Sequence, residues 1–168
     1  MLFRSGEEIR QKKLLFLCEM GLDPGVDHMS AMKILHKIKE AGGHVTSFKS
    51  HCGGLVAPES DNNPWHYKIS WNPRNVVLAG KAGAEYKLDN NIEYRDYKAL
   101  FADCAEVNMD ELGSLAFYPN RDSLNYIPLY KLEAAATFIR TTLRYPSYCK
   151  GWNAIVQSGL AKDRKSVV

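Results

Sequence analysis

The chain lacks the features that mark membrane-spanning, nucleic-acid-binding and secreted proteins. Its 168 residues contain no apolar run near the roughly 20 residues that a membrane-spanning helix needs. The 22 Lys and Arg against 19 Asp and Glu give a net charge of +3, without a dense basic run between aromatic residues. Acidic and basic residues near the N terminus stand where a secretory signal has its apolar core. The composition therefore predicts a cytoplasmic protein with no nucleic-acid or membrane partner.

Motifs for metals, disulfides and dinucleotide phosphates are also missing. The four cysteines, Cys18, Cys52, Cys104 and Cys149, form no Cys-x-x-Cys pair, and the five histidines do not stand at zinc-ligand spacing from them. We therefore expect free thiols and no metal site. The sequence contains no Gly-x-Gly-x-x-Gly turn, so it does not predict the phosphate cradle of a dinucleotide-binding domain.

The composition that is present is ordinary for a globular protein, with 45% hydrophobic and 24% charged residues. The spacing of apolar and turn residues predicts an α/β fold, a mixed sheet of several strands with about three helices. The predicted strands cover residues 13–18, 44–52, 92–102 and 135–145, with a short strand before a turn at Pro119 and Asn120. The predicted helices run from Met29 to a stop at Gly42, over 72–88 with Asn72 as cap, and over 146–160. Between them, residues 53–73 form a long loop that contains Trp65 and Trp71.

The stretch "GLDPGVD", residues 21–27, links the first predicted strand to the first predicted helix. Glycine and proline around Asp23 predict a tight turn, with Pro24 in the first turn of the helix. Asp23 and Asp27 are both candidate N-caps, and we assign Asp27 to capping. The same turn is either plain punctuation or the rim of a binding site.

Four separated stretches resemble the saccharopine dehydrogenase family, specifically the glutamate-forming saccharopine reductases and the dehydrogenase half of aminoadipic semialdehyde synthases. They are "GLDPGVDHM", "CGGLVAPESDNNPWHYKISW", "YPNRDS" and "TLRY", and they occur in the family's order. The resemblance implies a substrate and dimerisation domain that follows an NADP-binding Rossmann domain. We expect residues 1–20 to be an extension and the last strand of a truncated Rossmann domain. Residues 21–162 would be an incomplete substrate-binding domain, and 163–168 a foreign or disordered tail.

The resemblance also implies an activity. The family interconverts saccharopine with 2-aminoadipate 6-semialdehyde and glutamate in lysine metabolism, by hydride transfer to or from an imine. The resemblance further implies that the cofactor is NADP, with NAD left open, and that the longer parent protein is a homodimer. Because the chain looks like a fragment, we expect it to be inactive by itself.

The resemblance assigns roles to eight residues. Arg121, Thr142, Leu143, Arg144 and Cys52 would lie against the substrate, with the two arginines paired to its carboxylates. Gly21, Leu22 and Asp23 would lie at the nicotinamide end of the cofactor. Asp23 would also act in catalysis, by favouring the protonated form of the substrate amine or imine.

Plainer interpretations of these residues stay open. Arg121 is also explained as a surface residue paired with Asp122, Arg144 as an edge-strand cation, and Cys52 as small buried filler. Residues 57–71 would form either a lid or part of a dimer surface. The alternative functions are an imine-reducing relative such as a carboxynorspermidine-type dehydrogenase, or a non-catalytic binding or dimerisation module.

Overall fold

A six-stranded mixed sheet forms the centre of the molecule. The computed structural model describes residues 6–17 and 20–162 of the chain. The strands are β1 Ser47–Cys52, β2 Ala84–Leu88, β3 Asn91–Arg95, β4 Ala105–Met109, β5 Gly113–Pro119 and β6 Thr137–Arg144. The helices are α1 Gly6–Gln11, α2 Val26–Glu40, α3 Pro73–Leu78, α4 Tyr97–Leu100, α5 Ile127–Tyr130 and α6 Pro146–Gln157. The predicted fold class is confirmed.

Strand β6 is the centre of the sheet because it pairs with three other strands, β1, β2 and β5. Strand β1 lies parallel to it, with Cys52 opposite Thr142. On the other edge, β2 meets the first half of β6 at Phe138 and β5 lies antiparallel to the second half. Six of the eight residues of β6 are buried, as expected for a central strand rich in β-branched side chains.

The side chains of β6 alternate between two faces, and helices cover the face that carries Phe138. Phe138 packs in a cluster with Tyr130 and Leu132, against which Met32 and Leu35 of α2 are placed. A second cluster joins α4, β5 and α6, with Leu100, Tyr118, Tyr148, Cys149 and Val156 among its buried members. The first cluster therefore packs α2 against the beginning of β6, and the second packs α6 against β5.

Two predicted elements differ from the observed ones. The helix predicted over 72–88 ends at Leu78, and residues 84–88 form β2 instead. Gly80 and Gly83 have φ values of 83° and 76°, a conformation that ends a helix and that glycine adopts readily. The strand predicted over 92–102 ends at Arg95, since the Asp96 side chain caps α4 by accepting a hydrogen bond from the Ala99 amide at 2.8 Å.

One further strand prediction differs from the structure, and the observed strand β4 was not predicted. The prediction of a buried strand over 13–18 is wrong for residues 14–17, which form no strand and are exposed; Leu15 is 82% exposed. An apolar run becomes a strand only beside a partner strand, and the described residues provide none there. Cys18 and the tail 163–168 lie outside the described residues. Strand β4 was not predicted because only its central residue, Val107, is shielded from solvent.

No helix in the described ranges, 6–17 and 20–162, is long and apolar enough to cross a membrane.

Gly53 provides a direct test of how closely β1 approaches β6. A Cβ atom on Gly53 would lie 2.4 Å from the Leu143 carbonyl oxygen, whereas one on Gly54 would have nothing within 4 Å. Gly53→Ala is therefore expected to lower the free energy of unfolding by about 1–3 kcal/mol, because the backbone of β6 has to move. Gly54→Ala is the matched control. Urea denaturation of both variants measures the difference, and equal stabilities would contradict the close approach.

Candidate active site

A cleft with a volume of about 900 Å³ lies at the carboxyl ends of β1 and β6. Its walls come from residues 22–24, 52–54, 118–122 and the loop around Tyr67 and Trp71. Ligands of open α/β sheets bind outside the carboxyl ends of parallel strands, and this parallel pair follows that rule.

The cleft brings together six of the eight residues predicted for the site. These six all line its surface: Leu22, Asp23, Cys52, Arg121, Thr142 and Arg144. Gly21 and Leu143 are not among the lining residues. Leu143 is buried and pairs with Phe117 of β5. It lies between Thr142 and Arg144 in β6, and because successive side chains of a strand alternate, its side chain points to the other face of the sheet. Gly21 instead closes the turn, since its carbonyl accepts a hydrogen bond from Val26 N at 2.9 Å.

Arg144 is a cation with an unused hydrogen-bond donor inside the cleft. Its Nη1 donates to the Leu143 carbonyl at 2.7 Å, while its Nε is buried and has no partner. The guanidinium lies over the rings of Tyr67 and Tyr148, at 5.0 and 5.5 Å from their centroids, which holds it in place. A buried N–H without a partner is costly, so an acceptor supplied by a ligand would be bound favourably here.

Arg121 is exposed at the mouth of the same cleft. Its φ of 46° turns the chain at the end of β5, and its carbonyl accepts a hydrogen bond from Glu85 N at 2.8 Å. Asp122 accepts hydrogen bonds from the Leu124 and Asn125 amides, at 2.8 and 3.2 Å. In the part of the chain that the structure describes, Arg121 and Asp122 form no ion pair, so the surface-pair explanation of Arg121 is not supported.

The turn over 21–27 differs from its prediction. Helix α2 begins at Val26 with Gly25 as its N-cap residue and no side-chain cap, so Pro24 precedes the helix and neither Asp23 nor Asp27 caps it. The Asp23–Pro24 peptide bond is cis. Asp27 Oδ1 accepts a hydrogen bond from Gly25 N at 2.8 Å, which fixes the turn from inside the helix.

Both aspartates bind one buried guanidinium that the sequence reasoning missed. Arg140 Nη2 donates to Asp23 Oδ1 at 2.8 Å and to Asp27 Oδ2 at 2.9 Å. The Arg140 side chain is only 8% exposed, and its guanidinium lies 4.0 Å from the centroid of the Tyr126 ring. A signal for Arg140 was present, since strand alternation places residues 138, 140, 142 and 144 on one face.

The shared guanidinium changes the acid–base properties of Asp27. Burial by itself would raise the pKa of Asp27, but hydrogen bonds from the Gly25 amide and Arg140 lower it below its ordinary value of 3.8. Beyond Asp27, His28 Nε2 lies 3.9 Å from Asp27 Oδ1, and His28 Nδ1 lies 2.5 Å from the Tyr130 hydroxyl. Burial raises the pKa of Tyr130 to about 12.

Cys52 is half-buried in the cleft wall beside Asp23 and Thr142. Burial, together with the negative charges of Asp23 and Asp27, raises the pKa of its thiol. A thiol is a poor nucleophile until it loses its proton, so Cys52 is suited to lining the cleft rather than to attack. Cys104 and Cys149 are also free thiols.

The described residues do not fit a whole dinucleotide. No Gly-x-Gly-x-x-Gly turn occurs in the sequence to hold its phosphates, and only Leu22 and Asp23 of the predicted cofactor residues line the cleft. Among residues 6–17 and 20–162, no group of three His, Cys, Asp or Glu side chains is arranged to hold a metal ion.

Comparison with known proteins identifies the class of protein to which this α/β domain belongs. A family described as "Saccharopine dehydrogenase C-terminal domain" matches residues 21–168. The chain therefore belongs to the saccharopine dehydrogenase family, as its sequence motifs predicted.

Individual relatives agree with this assignment. The chain is 40% identical over 156 residues to "Saccharopine dehydrogenase [NADP(+), L-glutamate-forming]" of Saccharomyces cerevisiae, covering 93% of this chain and 35% of that protein. It is 43% identical over 145 residues to "Alpha-aminoadipic semialdehyde synthase" of Arabidopsis thaliana, covering 84% of this chain and 14% of that protein.

A solved structure is similar over almost the whole chain. The apo histidine-tagged saccharopine dehydrogenase (L-Glu forming) from Saccharomyces cerevisiae matches with a TM-score of 0.82 and 39% identity, over 97% of this chain and 37% of that one. The chain thus spans about a third of the length of the yeast relative that it matches.

The pairing of Asp27 with buried Arg140 predicts a pH-dependent effect of Asp27→Asn. At pH 7 the variant is expected to lose about 2 kcal/mol of unfolding free energy, because Arg140 loses one of two carboxylate partners. A carboxylate whose folded pKa is lowered contributes this stability in full above its ordinary pKa of 3.8, and the contribution decreases as the pH falls from that value through the lowered pKa of the folded state.

Urea denaturation at pH 7 and pH 3 measures this dependence. The difference between wild type and Asp27→Asn should shrink at pH 3, while the exposed control Asp110→Asn should change little at either pH. A difference of the same size at both values would contradict the proposed ionised pair.

Proposed function

We propose that this chain is the substrate-binding part of an NADP-dependent, glutamate-forming saccharopine dehydrogenase, and that its cleft binds saccharopine. The observation that carries the proposal is the buried, unpartnered Nε of Arg144 in a cleft that Arg121 also lines. The family membership and the names of the similar proteins support it.

The charges of the cleft match those of the ligand. Saccharopine carries three carboxylates and two nitrogens, so its site needs cations for the former and an acceptor for the latter. Arg144 and Arg121 supply guanidinium donors, which bind carboxylates more specifically than Lys does. The Thr142 hydroxyl provides a further hydrogen bond, and Asp23 provides the acceptor for a nitrogen.

The proposal places the reaction in the longer parent protein. When bound there, NADP would accept a hydride from saccharopine or donate one to the imine, as part of lysine metabolism. The cleft described above would bind and orient the carbon–nitrogen bond that reacts. Dimer formation and the preference for NADP over NAD are proposed on the same basis, by analogy with the relatives.

Binding to the 168-residue chain tests the role of Arg144. Isothermal titration calorimetry measures the Kd of the chain for saccharopine. The Arg144→Gln variant is expected to have a Kd at least about tenfold higher than wild type, because a charged hydrogen bond in a half-buried site is lost. Lys49→Gln is the control, since it removes the same charge from an exposed position of β1. Equal affinities of the two variants would contradict the role of Arg144, and no binding by wild type would contradict the proposed function.

Activity requires a separate assay. The longest reading frame that contains this chain should reduce NADP when saccharopine is added, and the comparison with NAD gives its preference. The 168-residue chain by itself should show no turnover, because it has no phosphate-binding glycine turn. Turnover by the chain alone would contradict this division of roles.

A further inference from the structure

The geometry points to Arg140 as a positioning residue, which orients the Asp23 carboxylate so that its second oxygen accepts a hydrogen bond from the reacting nitrogen of the ligand. This inference rests on the proposed function, because it concerns the same cleft. Arg140 acts through Asp23 and is distinct from Arg121 and Arg144, which would bind carboxylates.

The hydrogen bonds of Asp23 leave one oxygen free. Its Oδ1 accepts from Arg140 Nη2 at 2.8 Å, and its Oδ2 accepts no hydrogen bond among the described residues. The Asp23 side chain is 22% exposed and lines the cleft. A carboxylate has about four acceptor positions, so Oδ2 is available to a ligand while Oδ1 is held.

Arg140 itself is held from three directions. Its amide donates to Ser123 Oγ at 3.0 Å, its guanidinium lies over Tyr126, and Asp27 Oδ2 accepts from the same Nη2 that binds Asp23. Asp27 belongs to α2 and Arg140 to β6, so both are anchored in elements outside the residues that precede α2 and carry Asp23. The guanidinium therefore provides a fixed point to which the Asp23 carboxylate is bound.

The net charge of Asp23, Asp27 and Arg140 together determines which kind of ligand group would bind beside them. Two carboxylates and one guanidinium leave one negative charge beside the cleft, with all three side chains at most 22% exposed. A protonated amine or iminium nitrogen would neutralise that charge, whereas another carboxylate would be repelled. The reacting nitrogen of saccharopine is the α-nitrogen of its glutamate portion, so L-glutamate carries the group in question.

A matched pair of ligands separates positioning from general damage. L-glutamate and glutarate carry the same two carboxylates, and only L-glutamate has the nitrogen. In titrations of the 168-residue chain, Arg140→Gln is expected to weaken L-glutamate about tenfold and to leave glutarate within about twofold of wild type. Asp23→Asn should show the same selective loss, and the double variant should lose little more than either single variant.

Conservative substitution provides the second variant. Arg140→Lys keeps a buried cation between the two carboxylates, so it should recover part of the L-glutamate affinity even if Arg140→Gln folds poorly. Circular dichroism of each variant identifies loss of folding.

The outcomes distinguish this inference from the proposed function. Equal losses for both ligands in folded Arg140→Lys or Arg140→Gln would mean that Arg140 binds a carboxylate or only supports the fold, and would overturn the inference. Unchanged L-glutamate affinity would overturn it as well, with saccharopine binding and its dependence on Arg144 left intact. If the wild-type chain binds none of the three ligands, saccharopine, L-glutamate or glutarate, the proposed function itself fails.

Discussion

One guanidinium joins the two parts of the chain that form the cleft. Arg140 of β6 binds Asp23 of the turn before α2 and Asp27 in the first turn of that helix. The turn is also attached through its own backbone hydrogen bonds, the His28–Tyr130 hydrogen bond and the packing of α2 on the Phe138 cluster. Because a buried cation is stable only with its partners, the fold and the shape of the cleft depend on the same three side chains.

The centre of the sheet explains how a cleft forms beside a closed core. Along β6, Phe138 is part of the hydrophobic cluster under α2, while Arg140, Thr142 and Arg144 line the cleft on the same face. The neighbouring strands continue this pattern, since Cys52 of β1 and Tyr118 of β5 both stand opposite Thr142. The transition from core to cleft therefore occurs along one strand, and the lining residues of β1, β5 and β6 are held in paired strands.

The two arginines of β6 that line the cleft differ in their hydrogen bonds. Arg144 has a buried donor without a partner, whereas Arg140 uses its Nη2 on two carboxylates. Residues of the same type, four positions apart on one face of a strand, thus differ in what they offer to a ligand. A site of this kind suits a molecule with both anionic groups and a cationic nitrogen, as the proposed function requires.

The sequence by itself determined the family, the fold class, helices α2 and α6, strand β6, and six residues that line one cleft. These follow from local periodicity, turn residues and motifs, which act over a few neighbouring positions. Its errors came where a partner decides the structure: residues 14–17 pair with no strand within 6–17 and 20–162, and residues 84–88 become β2 beside β3 and β6.

Only the tertiary structure decided which side chains meet. In the folded chain, the Leu143 side chain points away from the cleft and Asp27 does not cap α2. Asp23 is paired with Arg140, which lies 117 positions later in the chain. The physical reason is register: a shift of one residue in β6 would reverse the faces of Arg140 and Leu143, and register is set by the strands and clusters on both sides of β6.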